Sequence, residues 1–221
     1  MIRRHQFLFP LLLAALFSLP LRADEANKKT LFDGKTLDGW EHVGPGKFVV
    51  ENGFLKTEGG MGLLWYTKEK FGDCVLRVVY KTTRQADNSG VYVRIAEPPK
   101  DPWYAVHHGY EVQIADAESG SPYRVSGAVY SFAKAGARPT KPAGEWNVLE
   151  ITLRGDRIQT SINGEQVADF NPADPVPELS PRGGMGDPEA DPRPKSGFIG
   201  LQNHDDNCVV YFKEVSVIPL P

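Results

Sequence analysis

Cysteine is scarce in this chain. Cys74 and Cys208 are its only two among 221 residues, and neither has a CxxC spacing or a neighbouring histidine. A cysteine-based metal knuckle or dithiol redox motif therefore has nothing to build on. Long stretches without a helix breaker are also few. Eighteen prolines and 22 glycines cannot be spread among long helices, which excludes a helical bundle. Positive charge is not in excess: 25 basic residues face 28 acidic ones, for a formal charge of −3, so no nucleic-acid footprint exists. No repeat period is evident. With 41% apolar and 24% charged residues, the composition is that of a folded globular protein rather than a disordered one.

One apolar run stands out, over residues 7–21. Arg3 and Arg4 precede it, Pro10 and Pro20 interrupt it, and Leu21-Arg22-Ala23 offers a small residue before Asp24. A basic start, a short apolar centre and a small closing residue predict a cleaved secretory signal over 1–23. The alternative is an uncleaved anchor, but the run falls short of the roughly 20 residues of a membrane span. The remaining domain, 24–221, is then exported to the periplasm or secreted. Three of the 25 basic residues and none of the 28 acidic ones lie in 1–23, leaving 22 against 28 and a charge of −6. Export also makes a Cys74–Cys208 bridge permissible. Two buried free thiols are the equal alternative.

The body of the chain reads as short strands. Asn52-Gly53 and Asn163-Gly164 are hairpin turn pairs between apolar runs. Alternation of apolar and polar residues predicts strands over 74–82, 90–95, 110–114, 146–153, 157–162, 165–170, 198–202 and 209–217. Turn-separated strands at this density define an all-β class, an antiparallel β-sandwich. Residues 171–197 hold seven prolines around Gly183-Gly184, which predicts a long surface loop and a candidate lid.

Alternation also sorts side chains into two faces. Val91, Val93 and Ile95, then Tyr110, Val112 and Ile114, then Ile199 and Leu201, point to the core. Tyr92, Arg94, Glu111, Gln113, Gln202 and His204 point away. If these strands are neighbours, those six residues form one polar surface. An ordinary solvated face is the plain alternative. Amides, an arginine, a tyrosine and a histidine nevertheless suit sugar hydroxyls, which need paired donors and acceptors. His204-Asp205-Asp206-Asn207 reads as a turn, with metal ligation by the aspartates as the second reading. His107-His108 reads as surface loop, and Trp103, in a proline-rich segment, as a sugar platform. Ordinary glycosidases use two carboxyl groups roughly 5–9.5 Å apart, yet the same-face neighbour of Glu111 is the amide Gln113.

Several segments in order resemble the 3-keto-disaccharide hydrolase family. They are Leu31-Phe32-Asp33-Gly34-Lys35-Thr36-Leu37-Asp38-Gly39-Trp40, Asn88-Ser89-Gly90-Val91-Tyr92-Val93-Arg94, Gly109-Tyr110-Glu111-Val112-Gln113-Ile114-Ala115-Asp116, Gly127-Ala128-Val129-Tyr130, Lys141-Pro142-Ala143-Gly144-Glu145-Trp146-Asn147 and Gly197-Phe198-Ile199-Gly200-Leu201-Gln202-Asn203-His204. The sequence departs from the family pattern at Asp205-Asp206-Asn207, where a glycine-containing turn usually follows the histidine. The resemblance implies a concanavalin A-like or LamG-like jelly roll acting on glycosides already oxidised at C3 of one sugar. A C3 ketone acidifies the C2 hydrogen, so a single base can start elimination of the C1 aglycone. Water addition then completes a net hydrolysis.

On that reading His204 or Glu111 is the base, with His204 favoured because imidazole titrates near neutrality. Arg94 stabilises the enolate oxygen, a task that a divalent metal ion could share. Asn88, Tyr92, Gln113, Asp116, Tyr130, Lys141 and Gln202 bind the oligosaccharide or glycoside substrate. A non-catalytic carbohydrate-binding module and an adhesive envelope domain are the rival readings.

Overall fold

The computed structural model describes residues 25–117, 120–174 and 193–221. The predicted signal segment and most of the proline-rich loop lie outside the described residues. A 3-10 turn (Glu25–Asn27) leads into thirteen strands: β1 (Lys29–Phe32), β2 (Trp40–Val43), β3 (Lys47–Glu51), β4 (Phe54–Glu58), β5 (Gly62–Tyr66), β6 (Cys74–Thr82), β7 (Asn88–Ile95), β8 (Tyr110–Ala115), β9 (Asn147–Arg154), β10 (Arg157–Ile162), β11 (Glu165–Phe170), β12 (Phe198–Asn203) and β13 (Val210–Pro219). Among the described residues one α-helix, α1 (Pro102–His108), sits between β7 and β8.

The strands form two antiparallel sheets. The larger runs β11-β10-β9-β6-β13-β4-β3, with β1 also paired to β13; the smaller runs β2-β5-β12-β7-β8. Leu55, Leu76, Val78, Leu149, Ile151 and Phe212 from the large sheet meet Leu64, Val91, Val93, Val112, Ile114 and Leu201 from the small one in a shared core. This is the sandwich expected from alternation. Both predicted hairpins form: Asn52 and Gly53 have φ of 53° and 82°, and Asn163 and Gly164 have 53° and 84°. Paired left-handed residues at the turn match the right-handed twist of the strands they join.

The helix was not expected. Asp101 caps it by accepting from the Tyr104 N–H at 3.1 Å, and Pro102 occupies the first helical position, where its missing N–H costs nothing. His107 and His108 therefore lie on the last turn of α1, not in a loop. The two cysteines are both free and buried. Cys74 pairs with Pro219, and Thr82 pairs with Val210, close to Cys208. The thiols thus sit at opposite ends of a nine-residue strand, roughly 25 Å apart at ~3.4 Å per residue, far beyond disulfide reach.

The small sheet is covered on both faces. Every residue of β8 and of β12 is buried. A second, smaller apolar cluster explains part of this: Ala105 and Val106 of α1 pack on Leu63, Trp65, Tyr92, Ile95 and Phe198. Residues 125–130 fold along β8, with Ser126 N–H donating to Ala115 O, Gln113 N–H to Ala128 O and Tyr130 N–H to Glu111 O. Helix and flap leave one hollow between them, on the sheet face turned away from the main core.

Candidate functional site

That hollow has a volume of about 360 Å³ and is lined by Met61, Asn88, Trp103, Val106, Glu111, Gln113, Arg124, Tyr130, Gln202 and His204. The volume lies in the range of ligand pockets, roughly 300–1,000 Å³. One wall is apolar, from Met61, Val106 and the half-exposed Trp103. The floor is polar and comes from β7, β8 and β12. The strand register explains the gathering: Tyr92 lies opposite Glu111 and Gly90 opposite Gln113, while Gly200 lies opposite Tyr92.

Among the described residues that line the hollow, Glu111 carries the only carboxyl group. Burial raises its pKa to about 8, although side-chain hydrogen bonds from Tyr92 and Gln202 work in the opposite direction. Near neutrality it is therefore mostly a carboxylic acid, able to donate a proton. Gly90 makes room for it, since a methyl group on the Gly90 Cα would overlap the Glu111 carboxyl. Gln202 Nε2 donates to Tyr92 Oη at 2.7 Å, and Gln113 Nε2 donates to Asn88 Oδ1 at 2.7 Å. The Oε1 atoms of both glutamines are buried and have no hydrogen-bond partner. Buried acceptors without donors are uncommon in folded proteins. Both residues are among those that line the hollow.

His204 is exposed at the rim, just beyond β12, and its Nδ1 lies 2.7 Å from Asp205 Oδ2. His204, Asp205 and Cys208 place one ligand atom each within 4.8 Å of one another. Those atoms are already committed to each other, however: Cys208 Sγ donates to Asp205 Oδ2 at 3.3 Å. Burial pushes the Cys208 thiol up to about 11. Asn207 N–H and Cys208 N–H both donate to Asp205 Oδ1. These bonds close the turn from His204 to Cys208 on itself.

The sequence-predicted residues divide into four groups, the last being Arg94 alone. Asn88, Glu111, Gln113, Tyr130, Gln202 and His204 line the hollow, as does Trp103. Tyr92 lies beneath it, fully buried, and touches Glu111 and Gln202 instead of lining the space. Asp116 and Lys141 line a separate hollow with Thr82, Gln85, Arg138 and Thr140. There Thr140 Oγ1 donates to Asp116 Oδ1 at 3.2 Å, and burial raises the Asp116 pKa.

Arg94 corrects the expectation made for it. The register of β7 against β12 slips between Phe198 and Gly200, and Arg94 adopts φ of 57°. This bulge breaks the alternation, so Ile95 joins Tyr92 in the outer apolar cluster and Arg94 turns away. Its guanidinium is buried and donates to the carbonyls of Gly155 at 2.6 Å and Asp156 at 3.0 Å, bracing the β9–β10 turn. The cation at the hollow is Arg124 instead, stacked 5.4 Å from the Tyr130 ring centroid. Alternation could not reveal Arg124, because it sits in the irregular flap that folds back over β8.

A two-sheet antiparallel sandwich with an acid, paired amides and a rim imidazole around one hollow defines a jelly-roll protein with a candidate active site. Residues 27–218 match the family described as the 3-keto-alpha-glucoside-1,2-lyase-like domain, and the chain belongs to that family. It is 28% identical to a 3-keto-disaccharide hydrolase of Bacteroides thetaiotaomicron, over 92% of this chain and 82% of that one. A solved structure from Parabacteroides distasonis, provisionally named a glycosyl hydrolase, superposes with a TM-score of 0.70 at 26% identity, over 87% of this chain and 99% of that one. A Bacillus subtilis protein with a galectin-like fold superposes with a TM-score of 0.61 at 13% identity, over 86% of this chain and 94% of that one. That last likeness concerns the fold alone.

Proposed function

We propose that this protein cleaves 3-keto glycosides by removing the C2 proton, eliminating the C1 aglycone and adding water to the product. The observation that carries the reading is the pairing, in one hollow, of a carboxyl group that is single among the described lining residues and held protonated near neutrality with an imidazole whose Nδ1 is engaged by Asp205. A conventional glycosidase needs a second, opposed carboxylate. A ketone at C3 removes that need by stabilising charge at C2 as an enolate.

In the first half-reaction His204 Nε2 takes the C2 proton, and the electron pair delocalises to the C3 oxygen beside Arg124. The C1–O bond then breaks as the enone forms, and Glu111 gives its proton to the departing aglycone oxygen. In the second half-reaction the Glu111 carboxylate takes a proton from water as the water oxygen adds to C1. The imidazolium returns its proton to C2. Acid and base end as they began, and one water is consumed. Gln113, Asn88 and Gln202 hold sugar hydroxyls, and Trp103 offers a face to the aglycone. The basic, apolar and small-residue pattern of residues 1–23 supports an exported location for this activity.

The test is aglycone release from matched 3-keto and unoxidised glycosides, in D₂O as well as water. Cleavage restricted to the keto forms, with deuterium appearing at C2 of the product, is the expected result. His204→Ala and Glu111→Gln should each lose about 10²–10⁴-fold in turnover, the usual worth of a general acid or base. Full turnover by both variants overturns the assignment. Binding without cleavage by the wild type makes the protein a carbohydrate-binding module.

A further inference from the structure

Resting on the reading of His204 as the base, we propose that Asp205 is the positioning residue that sets the His204 tautomer, and that replacing it with asparagine silences the base more completely than deleting it. The geometry distinguishes the two oxygens of Asp205. Oδ1 accepts from the backbone N–H groups of Asn207 at 2.7 Å and Cys208 at 3.1 Å, which fixes the rotation of the carboxyl group. Oδ2 is thereby aimed at His204 Nδ1, 2.7 Å away. Partial burial opposes ionisation of Asp205, but the bonds from His204, Asn207 and Cys208 outweigh it and hold the carboxyl below its usual range. A carboxylate only accepts, so Nδ1 carries the hydrogen and the Nε2 lone pair is left for the substrate.

The same oxygen is tied to the sugar-binding floor. Cys208 Sγ donates to Oδ2 at 3.3 Å and accepts from Asn88 N–H at 3.2 Å, while Asn88 Oδ1 accepts from Gln113. An unbroken run of hydrogen bonds thus links the imidazole to the amides of the floor.

In Asp205→Asn the two backbone N–H groups keep the remaining oxygen at the Oδ1 position. The amide NH₂ must then occupy the Oδ2 position and point a donor at Nδ1. Nδ1 becomes an acceptor, the hydrogen moves to Nε2, and no lone pair faces the C2 proton. Asp205→Ala imposes no tautomer, so a fraction of molecules keeps a competent Nε2. A residue that served the turn alone would behave in the opposite order, because asparagine preserves the turn and alanine abolishes it.

The experiment combines ¹⁵N-histidine NMR of the ligand-free protein with turnover of a 3-keto glycoside. The His204 resonances are identified by their loss in His204→Gln. Wild type should show a protonated Nδ1 and an unprotonated Nε2, Asp205→Asn the reverse, and Asp205→Ala a mixture. Asp205→Glu, which keeps an anionic acceptor, should retain the wild-type form. In turnover, kcat should fall on the order of 10²–10³-fold in Asp205→Asn but only about 10-fold in Asp205→Ala, with KM within about threefold. A protonated Nε2 in the wild type, or an alanine variant as impaired as the asparagine one, overturns the proposal. If the wild type cleaves no keto glycoside, the function proposed above fails, and the NMR spectra alone still decide whether Asp205 sets the tautomer.

Discussion

Tyr92 and Glu111 stand directly opposite each other across β7 and β8, and the buried phenol donates to the Glu111 carboxyl group while accepting from Gln202. Burial nonetheless dominates and keeps the Glu111 pKa near 8, against 4.5 for an unperturbed glutamate. A carboxyl whose pKa is higher in the folded than in the unfolded state binds its proton more tightly when folded. Its contribution to stability is complete below about pH 4.5 and is lost as pH rises through about 8. Wild type should therefore lose several degrees of Tm between pH 5 and pH 9, since 1 kcal/mol is worth about 2–4 °C in a domain of this size. Glu111→Gln should show a much flatter profile over the same range. Parallel profiles for the two proteins, measured by calorimetry, would contradict an acid held protonated by burial.

The hydroxyl of Tyr92 favours the ionised form of Glu111, so its removal acts in one direction. Tyr92→Phe should raise the Glu111 pKa further and move the alkaline limb of kcat/KM to higher pH. A limb that moves down, or stays in place, means that Glu111 is not the acid being titrated.

Gly90 is a steric requirement of the site and not of the strand. Its backbone is ordinary, but a Cβ there would strike the Glu111 carboxyl. Gly90→Ala should fold, because the substitution adds one methyl group on an otherwise regular strand. Displacing the acid by about 1 Å should cost on the order of 10²-fold in kcat/KM. Unchanged kinetics in a folded variant would show that the carboxyl does not need its present place.

Arg94 separates a structural from a chemical role. Arg94→Met keeps much of the bulk but leaves the turn carbonyls of Gly155 and Asp156 without their buried donor. Each such loss costs about 1–3 kcal/mol, so Tm should fall by roughly 5–10 °C. At a temperature where the variant is folded, kcat/KM should stay within about threefold of wild type. A large loss of turnover with unchanged Tm would return Arg94 to the reaction.

Local pattern carried much of this protein. The hairpins at Asn52-Gly53 and Asn163-Gly164, the inward Val91, Val112 and Leu201, and the shared outward face of Tyr92, Glu111, Gln113 and Gln202 all follow from two-residue periodicity and turn chemistry, which are properties of adjacent residues. What covers that face is not such a property. The β7 bulge that turns Arg94 away depends on how β7 pairs with β12, a strand roughly a hundred residues distant. The flap that delivers Arg124 is held by β8 backbone groups that no periodicity announces. Separation of Asp116 and Lys141 into their own hollow, and of Cys74 from Cys208, likewise required the strand register. Short-range alternation determines which way a side chain faces, but only the packing of distant segments decides whether that face meets water, protein or a pocket.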